Sequence, residues 1–105
     1  MLVFVDIDDT ICYMPDGAGA SLDYARAQPR VSRIQRVNAL YDDGHTIVYW
    51  TARGTRTGVN WFSTTLSQLE QWGCRFHEVR MGKPVYDLFI DDKNVEADAF
   101  FTGDC

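Results

Sequence analysis

The chain is short of positive charge: ten Lys and Arg residues face fifteen Asp and Glu, leaving a formal charge of −5. A surface that wraps duplex nucleic acid needs clustered Lys and Arg, so this balance argues against that partner and leaves only a phosphorylated end held at one point. Cysteine is scarce too. Cys12, Cys74 and Cys105 form no CxxC pair, which suits free thiols in a reducing compartment better than a disulfide framework. The first residues lack a basic leader segment, and no apolar stretch approaches the roughly 20 residues needed to cross a bilayer. A cytoplasmic protein with no membrane partner is expected. At 105 residues, 46% of them hydrophobic, the chain suffices for one compact domain, 1–105, and not for two.

What is present is an alternation of β-rich and amphipathic segments. Residues 2–7 are almost continuously apolar and predict a strand buried on both faces. Residues 11–28, with Pro15, Gly17 and Gly19, show no period and are expected as a loop or flap. Behind Pro29, the residues Val31, Ile34, Val37, Leu40 and Tyr41 fall at helical spacing, and Gly44 stops them. Thr46–Trp50 forms a second β-rich run, followed directly by a turn at Thr51-Ala52-Arg53-Gly54. Val59, Phe62, Leu66, Leu69 and Trp72 trace a second helix closed by Gly73. Residues 75–79 and 86–90 are expected as third and fourth strands, and a short helix near 95–99 completes the order. Such alternation implies right-handed crossovers and a central parallel sheet covered on both sides, a three-layer Rossmann-like α/β sandwich.

Polar residues gather where these strands end. Asp6 and Asp8 leave the first strand two residues apart, so its period of two directs both to one side. Carboxyl ends of strands are where open α/β sheets bind ligands. Two like charges so close need a proton on one or a cation beside them. Thr51 follows the second strand, Lys83 precedes the fourth, and Asp91-Asp92 ends it. In this order, Asp6-Ile7-Asp8-Asp9-Thr10, Thr51, Lys83 and Asp91-Asp92 resemble the four motifs of the haloacid dehalogenase superfamily of phosphatases and phosphotransferases, over essentially the whole chain.

The resemblance implies a magnesium-dependent phosphomonoester hydrolase. Asp6 would be the nucleophile that forms an aspartyl-phosphate, and Asp8 the acid that protonates the leaving oxygen and then the base that activates water. Thr51 and the backbone amide at Ala52 would bind the phosphoryl oxygens, with Lys83 holding nucleophile and phosphate together. Mg2+ would be held by Asp6, Asp91 and Asp92 and by the backbone carbonyl of Asp8. The second Asp of the first motif favours phosphate chemistry over dehalogenation. Elementary chemistry agrees: a carboxylate approaching a phosphate needs positive charge to neutralise both, and magnesium suits carboxylate oxygens and retained waters. Segment 11–28 can supply only a flap, and one helix and one strand use all of 51–83, so the resemblance is to a minimal core without a cap domain.

Other residues carry simpler readings. Asp9 and Thr10 read as local turn residues, and the tryptophans as packing residues. Arg53 and Arg56 are either solvated loop residues or contacts to a second anionic group on the substrate. His77 can reach a substrate but is more simply a structural histidine. The stretches 49–54 and 82–94 look like those of small members associated with surface-carbohydrate biosynthesis, so a small substrate such as a sugar phosphate or related metabolite is expected. An uncovered crevice asks for a homo-oligomer or a large substrate to exclude water. The alternatives are an enzyme similar to polynucleotide 3′-phosphatases and a noncatalytic binding module. A two-component receiver domain also clusters Asp, Thr and Lys-Pro, but its accepting Asp lies mid-chain and its Lys-Pro comes near the end.

Overall fold

The computed structural model describes residues 1–15 and 23–103, so Gly17, Gly19 and Cys105 lie outside the described residues. The chain runs β1 (Leu2–Val5), β2 (Cys12–Tyr13), a 3-10 turn (Tyr24–Arg26), β3 (Gln28–Pro29), α1 (Val31–Asp42), β4 (Thr46–Trp50), α2 (Phe62–Gln71), β5 (Glu78–Arg80) and α3 (Ala97–Phe100). This is an α/β arrangement. Its three-stranded parallel sheet has the order β1-β4-β5.

Register explains where the core forms. Val3 pairs with Ile47, Val5 with Tyr49, and Tyr49 with Val79, so these side chains share one face. Ile34 and Val37 of α1 and Leu69 of α2 join them in a single cluster. Both crossovers step the same way across the sheet, and right-handed connections then leave both helices on one face. The opposite face carries Phe4 and Trp50, whose rings meet edge-on at 5.8 Å, with the Arg80 guanidinium 5.3 Å from Phe4. Leu2 is 63% and Phe4 43% exposed. The strand expected to be buried on both faces is therefore buried on one, although Val48, paired with Phe4 on the other face, is itself buried.

Both long helices end by the same device. After α1, the Gly44 N–H reaches Tyr41 O and the His45 N–H reaches Leu40 O; after α2, Gly73 and Cys74 repeat the pair on Glu70 and Leu69. This double bond pattern needs a left-handed residue just past the helix, which Gly44 supplies at φ +95°. The flap is better anchored than its composition suggests: Cys12 and Tyr13 pair antiparallel with Pro29 and Gln28, and the Arg30 N–H donates to Ile11 O at 2.8 Å. At the carboxyl end, Glu96 caps α3 through the N–H groups of Asp98 and Ala99. Arg33 ties that helix back by bonding Asp98 at 2.7 Å and the Thr10 carbonyl at 3.1 Å.

The expected fourth strand at 86–90 is absent. A parallel strand must be reached by a crossover of about a dozen residues or more, and only residues 81–85 separate β5 from residue 86. Its apolar side chains stay in solvent, with Leu88 76% and Ile90 88% exposed. No helix among the described residues is long and apolar enough to cross a membrane.

The buried thiols make stability sensitive to alkali. Burial pushes the Cys74 thiol up from the usual 9.0 to about 11. Burial, reinforced by the Asp8 charge, pushes the Cys12 thiol higher still. Unfolded thiols ionise first, so the unfolded state holds fewer protons and stability is lost as pH rises from about 9 through about 11. Urea midpoints measured at intervals across that range are expected to fall. A flat profile would mean that both thiols are solvated.

Candidate active site

Asp6 follows β1 immediately, and the register carried one residue further sets it level with Trp50 on β4. Its Oδ1 accepts from Lys83 Nζ at 3.2 Å and its Oδ2 from the Thr10 hydroxyl at 3.0 Å. Sequence reasoning took Thr10 for a turn residue only. Yet the N–H groups of Thr10 and Ile11 both return to Ile7 O, and that tight turn carries a hydroxyl four residues on back to Asp6. Asp9 makes the turn possible with φ 62°, a left-handed conformation that Asp tolerates better than most residues. Lys83 is fixed from the backbone outward: its N–H donates to Thr51 O at 3.0 Å, and its carbonyl accepts from the Thr55 hydroxyl at 2.8 Å. The crossing of Lys83 to Asp6 thus needs no strand at 86–90.

Asp8 has a different cation. Arg53 grips it with both forks, Nε to Oδ2 and Nη2 to Oδ1, each at 2.9 Å. The Arg53 side chain is wholly buried, while that of Asp8 is 26% exposed. Nη1 donates to Thr65 Oγ1 at 3.2 Å and to Gln68 Oε1 at 2.6 Å, and Nη2 also faces Cys12 Sγ at 3.9 Å. All five guanidinium hydrogens therefore have acceptors within the protein. Gln68 passes the connection on through its Nε2, which donates to Tyr24 O at 2.7 Å. Arg53, expected as either a solvated loop residue or a contact to a second anionic group on the substrate, is here the buried brace behind Asp8. Asp6 and Asp8 thus each face a cation of their own.

Thr51 is 1% exposed, and its oxygen accepts from the Arg53 N–H at 3.1 Å. Among the described residues its hydroxyl hydrogen has no acceptor. Ala52 lines an open cleft of about 590 Å3 together with Asp8 and Arg56. One wall is the loop after Gly54. Gly54 has φ +80°, and a Cβ there would stand 2.0 Å from Val59 O, so only glycine lets the loop fold back so closely.

The structure does not gather every expected residue. His77 immediately precedes β5 and lies beside the start of β4, where its Nδ1 accepts the Ile47 N–H at 3.1 Å and its ring stacks on Tyr41 at 4.8 Å. It works as a structural histidine there, away from Thr51. Asp91 and Asp92 are exposed, and Asp92 is engaged by Lys93 at 3.0 Å. Among the described residues no three of His, Cys, Asp and Glu stand together in a way that could hold a metal ion. The four residues expected to hold Mg2+, namely Asp6, Asp8, Asp91 and Asp92, are not drawn into one such group among the described residues.

No family model and no curated protein matches the chain. Among solved structures, it is similar to a crystal structure of an MCSG target from Vibrio cholerae, with 26% identity and a TM-score of 0.81 over 96% of this chain and 87% of that one.

Proposed function

We propose that this chain is a phosphomonoesterase of the haloacid dehalogenase type with a capless Rossmann-like core, acting through an aspartyl-phosphate on Asp6. The observation that carries the reading is the pair of strand-end carboxylates, each with a dedicated cation: Lys83 on Asp6 at 3.2 Å and Arg53 on Asp8 at 2.9 Å. Asp6 attacks phosphorus while the Lys83 ammonium offsets the approach of two anions. Asp8 takes up a proton as the phosphate ester binds; the bond from phosphorus to the ester oxygen then breaks, and that oxygen takes the Asp8 proton. Asp8 next accepts a proton from the water that attacks phosphorus, the bond from phosphorus to Asp6 breaks, and Asp6 is left as a carboxylate with Asp8 again protonated. Positioned proton transfer of this kind is worth roughly 100- to 10,000-fold. Arg53 Nη2 and the Cys12 thiol both donate to Asp8 Oδ1, and Arg53 Nε donates to Oδ2, so a lone pair on Oδ2 is left to carry the proton. Thr51 and the Ala52 amide are the donors assigned to the phosphoryl oxygens.

Magnesium enters through the family resemblance and would supply further positive charge at the phosphoryl group. A small phosphorylated metabolite, a cytoplasmic setting and a homo-oligomer that covers the open cleft complete the proposal. The exposed Asp91 and Asp92 favour one rival, a noncatalytic module of the same fold.

Turnover separates the two. An aryl phosphate is expected to be hydrolysed in the presence of magnesium and not after chelation. Rapid acid quenching is expected to trap an acyl phosphate on the peptide that contains Asp6. Turnover without any trapped phosphate would sink the covalent route, and absence of turnover would favour the binding module.

A further inference from the structure

The cleft beside Asp8 is large enough, at about 590 Å3, to enclose a small-molecule leaving group. Its walls are mostly apolar: Met14, Tyr24, Val59 and Trp61 line it. Tyr24 and Trp61 meet edge to face at 5.2 Å and 86°. The Arg53 guanidinium, itself fixed on Asp8, lies 4.9 Å from the Tyr24 ring. The aromatic wall is thus braced by the same network that holds the proposed acid, and it keeps a set distance from it.

Charge in the cleft is unequally placed. Arg53 offsets Asp8, whereas Asp9 is exposed at the same mouth. Arg56 also lines the cleft, is exposed, and has no ion pair among the described residues. The loop that presents it is closed by the Gly58 N–H on Gly54 O at 2.8 Å and by the close approach of Val59 to Gly54. Arg56 therefore stands on a tight turn in a cleft whose lining is largely apolar. A bare polyol would find few hydrogen-bonding side chains on the aromatic wall. A flat apolar group with an anion at its far end would find a surface and a cation.

We propose, resting on the phosphatase reading above, that this cleft selects phosphomonoesters whose leaving group is a flat, largely apolar body bearing a second anionic group, with Arg56 as the residue that reads the anion. The class replaces the simple sugar phosphate expected from the sequence.

Three substrates test it on the intact chain: phenyl phosphate, 4-carboxyphenyl phosphate and a hexose 6-phosphate. The carboxylated ester is expected to exceed phenyl phosphate in kcat/KM by up to about fivefold, chiefly through a lower KM, since a solvated ion pair is worth up to about 1 kcal/mol, or about fivefold. Both should exceed the hexose ester. The carboxylate preference is expected to shrink in high salt and to vanish in Arg56→Gln. Equal turnover of the two aryl esters, a preference that survives Arg56→Gln, or a faster hexose ester would each overturn the inference while leaving the phosphatase reading intact. No turnover of any ester would overturn that reading, and this inference with it.

Discussion

Replacing Asp6 with Asn is expected to lower aryl phosphate turnover by at least about 10,000-fold, because loss of a covalent nucleophile removes the whole two-step route. The change is close to isosteric. It keeps an oxygen for Lys83 or Thr10 and removes one of two neighbouring negative charges, so the melting temperature should hold or rise. Residues kept for chemistry are often not optimal for stability. Steady-state kinetics together with a thermal melt check both halves. A variant with near-normal turnover would end the assignment of Asp6, and one that fails to fold would show that its contacts with Lys83 and Thr10 hold the edge of the sheet together.

Arg53→Met is expected to cost about 3 to 5 kcal/mol of stability, the usual penalty for breaking a buried ion pair from one side. The figure belongs at the lower end, because Asp8 keeps 26% exposure and water can resolvate part of its charge. Methionine fills the apolar space, but it leaves Asp8, Thr65 and Gln68 without their shared donor. Adding Asp8→Asn should recover some of the loss by removing the stranded charge. Urea denaturation of the single and double variants measures that coupling. A loss below about 1 kcal/mol, or no recovery in the double variant, would show that solvent already screens the pair.

The same network shows where sequence reasoning stopped. Periodicity located α1 and β4 with little error, and the strand-end position of Asp6 and Asp8 followed from the end of one apolar run. For α2 the stripe of Phe62, Leu66 and Leu69 predicts the buried side, yet Phe62 is 41% exposed while Thr65 and Gln68 are buried. The helix is turned because the Arg53 guanidinium, wholly enclosed, must find acceptors, and an apolar count cannot register that demand. The signal lay in the polar residues three apart on an otherwise apolar face. Lys83 alone would pass for a surface lysine, and only its place in the ordered set pointed to Asp6. The strand expected at 86–90 failed for a reason of distance: composition favours β structure there, but periodicity does not measure how far a chain must travel to lie parallel to its neighbour.

The stretch from Tyr86 to Ile90 has a consequence for how the molecule behaves in company. Tyr86, Leu88, Phe89 and Ile90 are all exposed, no proline interrupts them, and Asp87 is the single charge among them. On the described residues β1 also pairs on one side only. A β-prone ribbon and an unprotected sheet margin on one molecule are the two halves of intermolecular strand addition. Asp87 is the one charge within that ribbon, and like-charge repulsion there opposes such pairing.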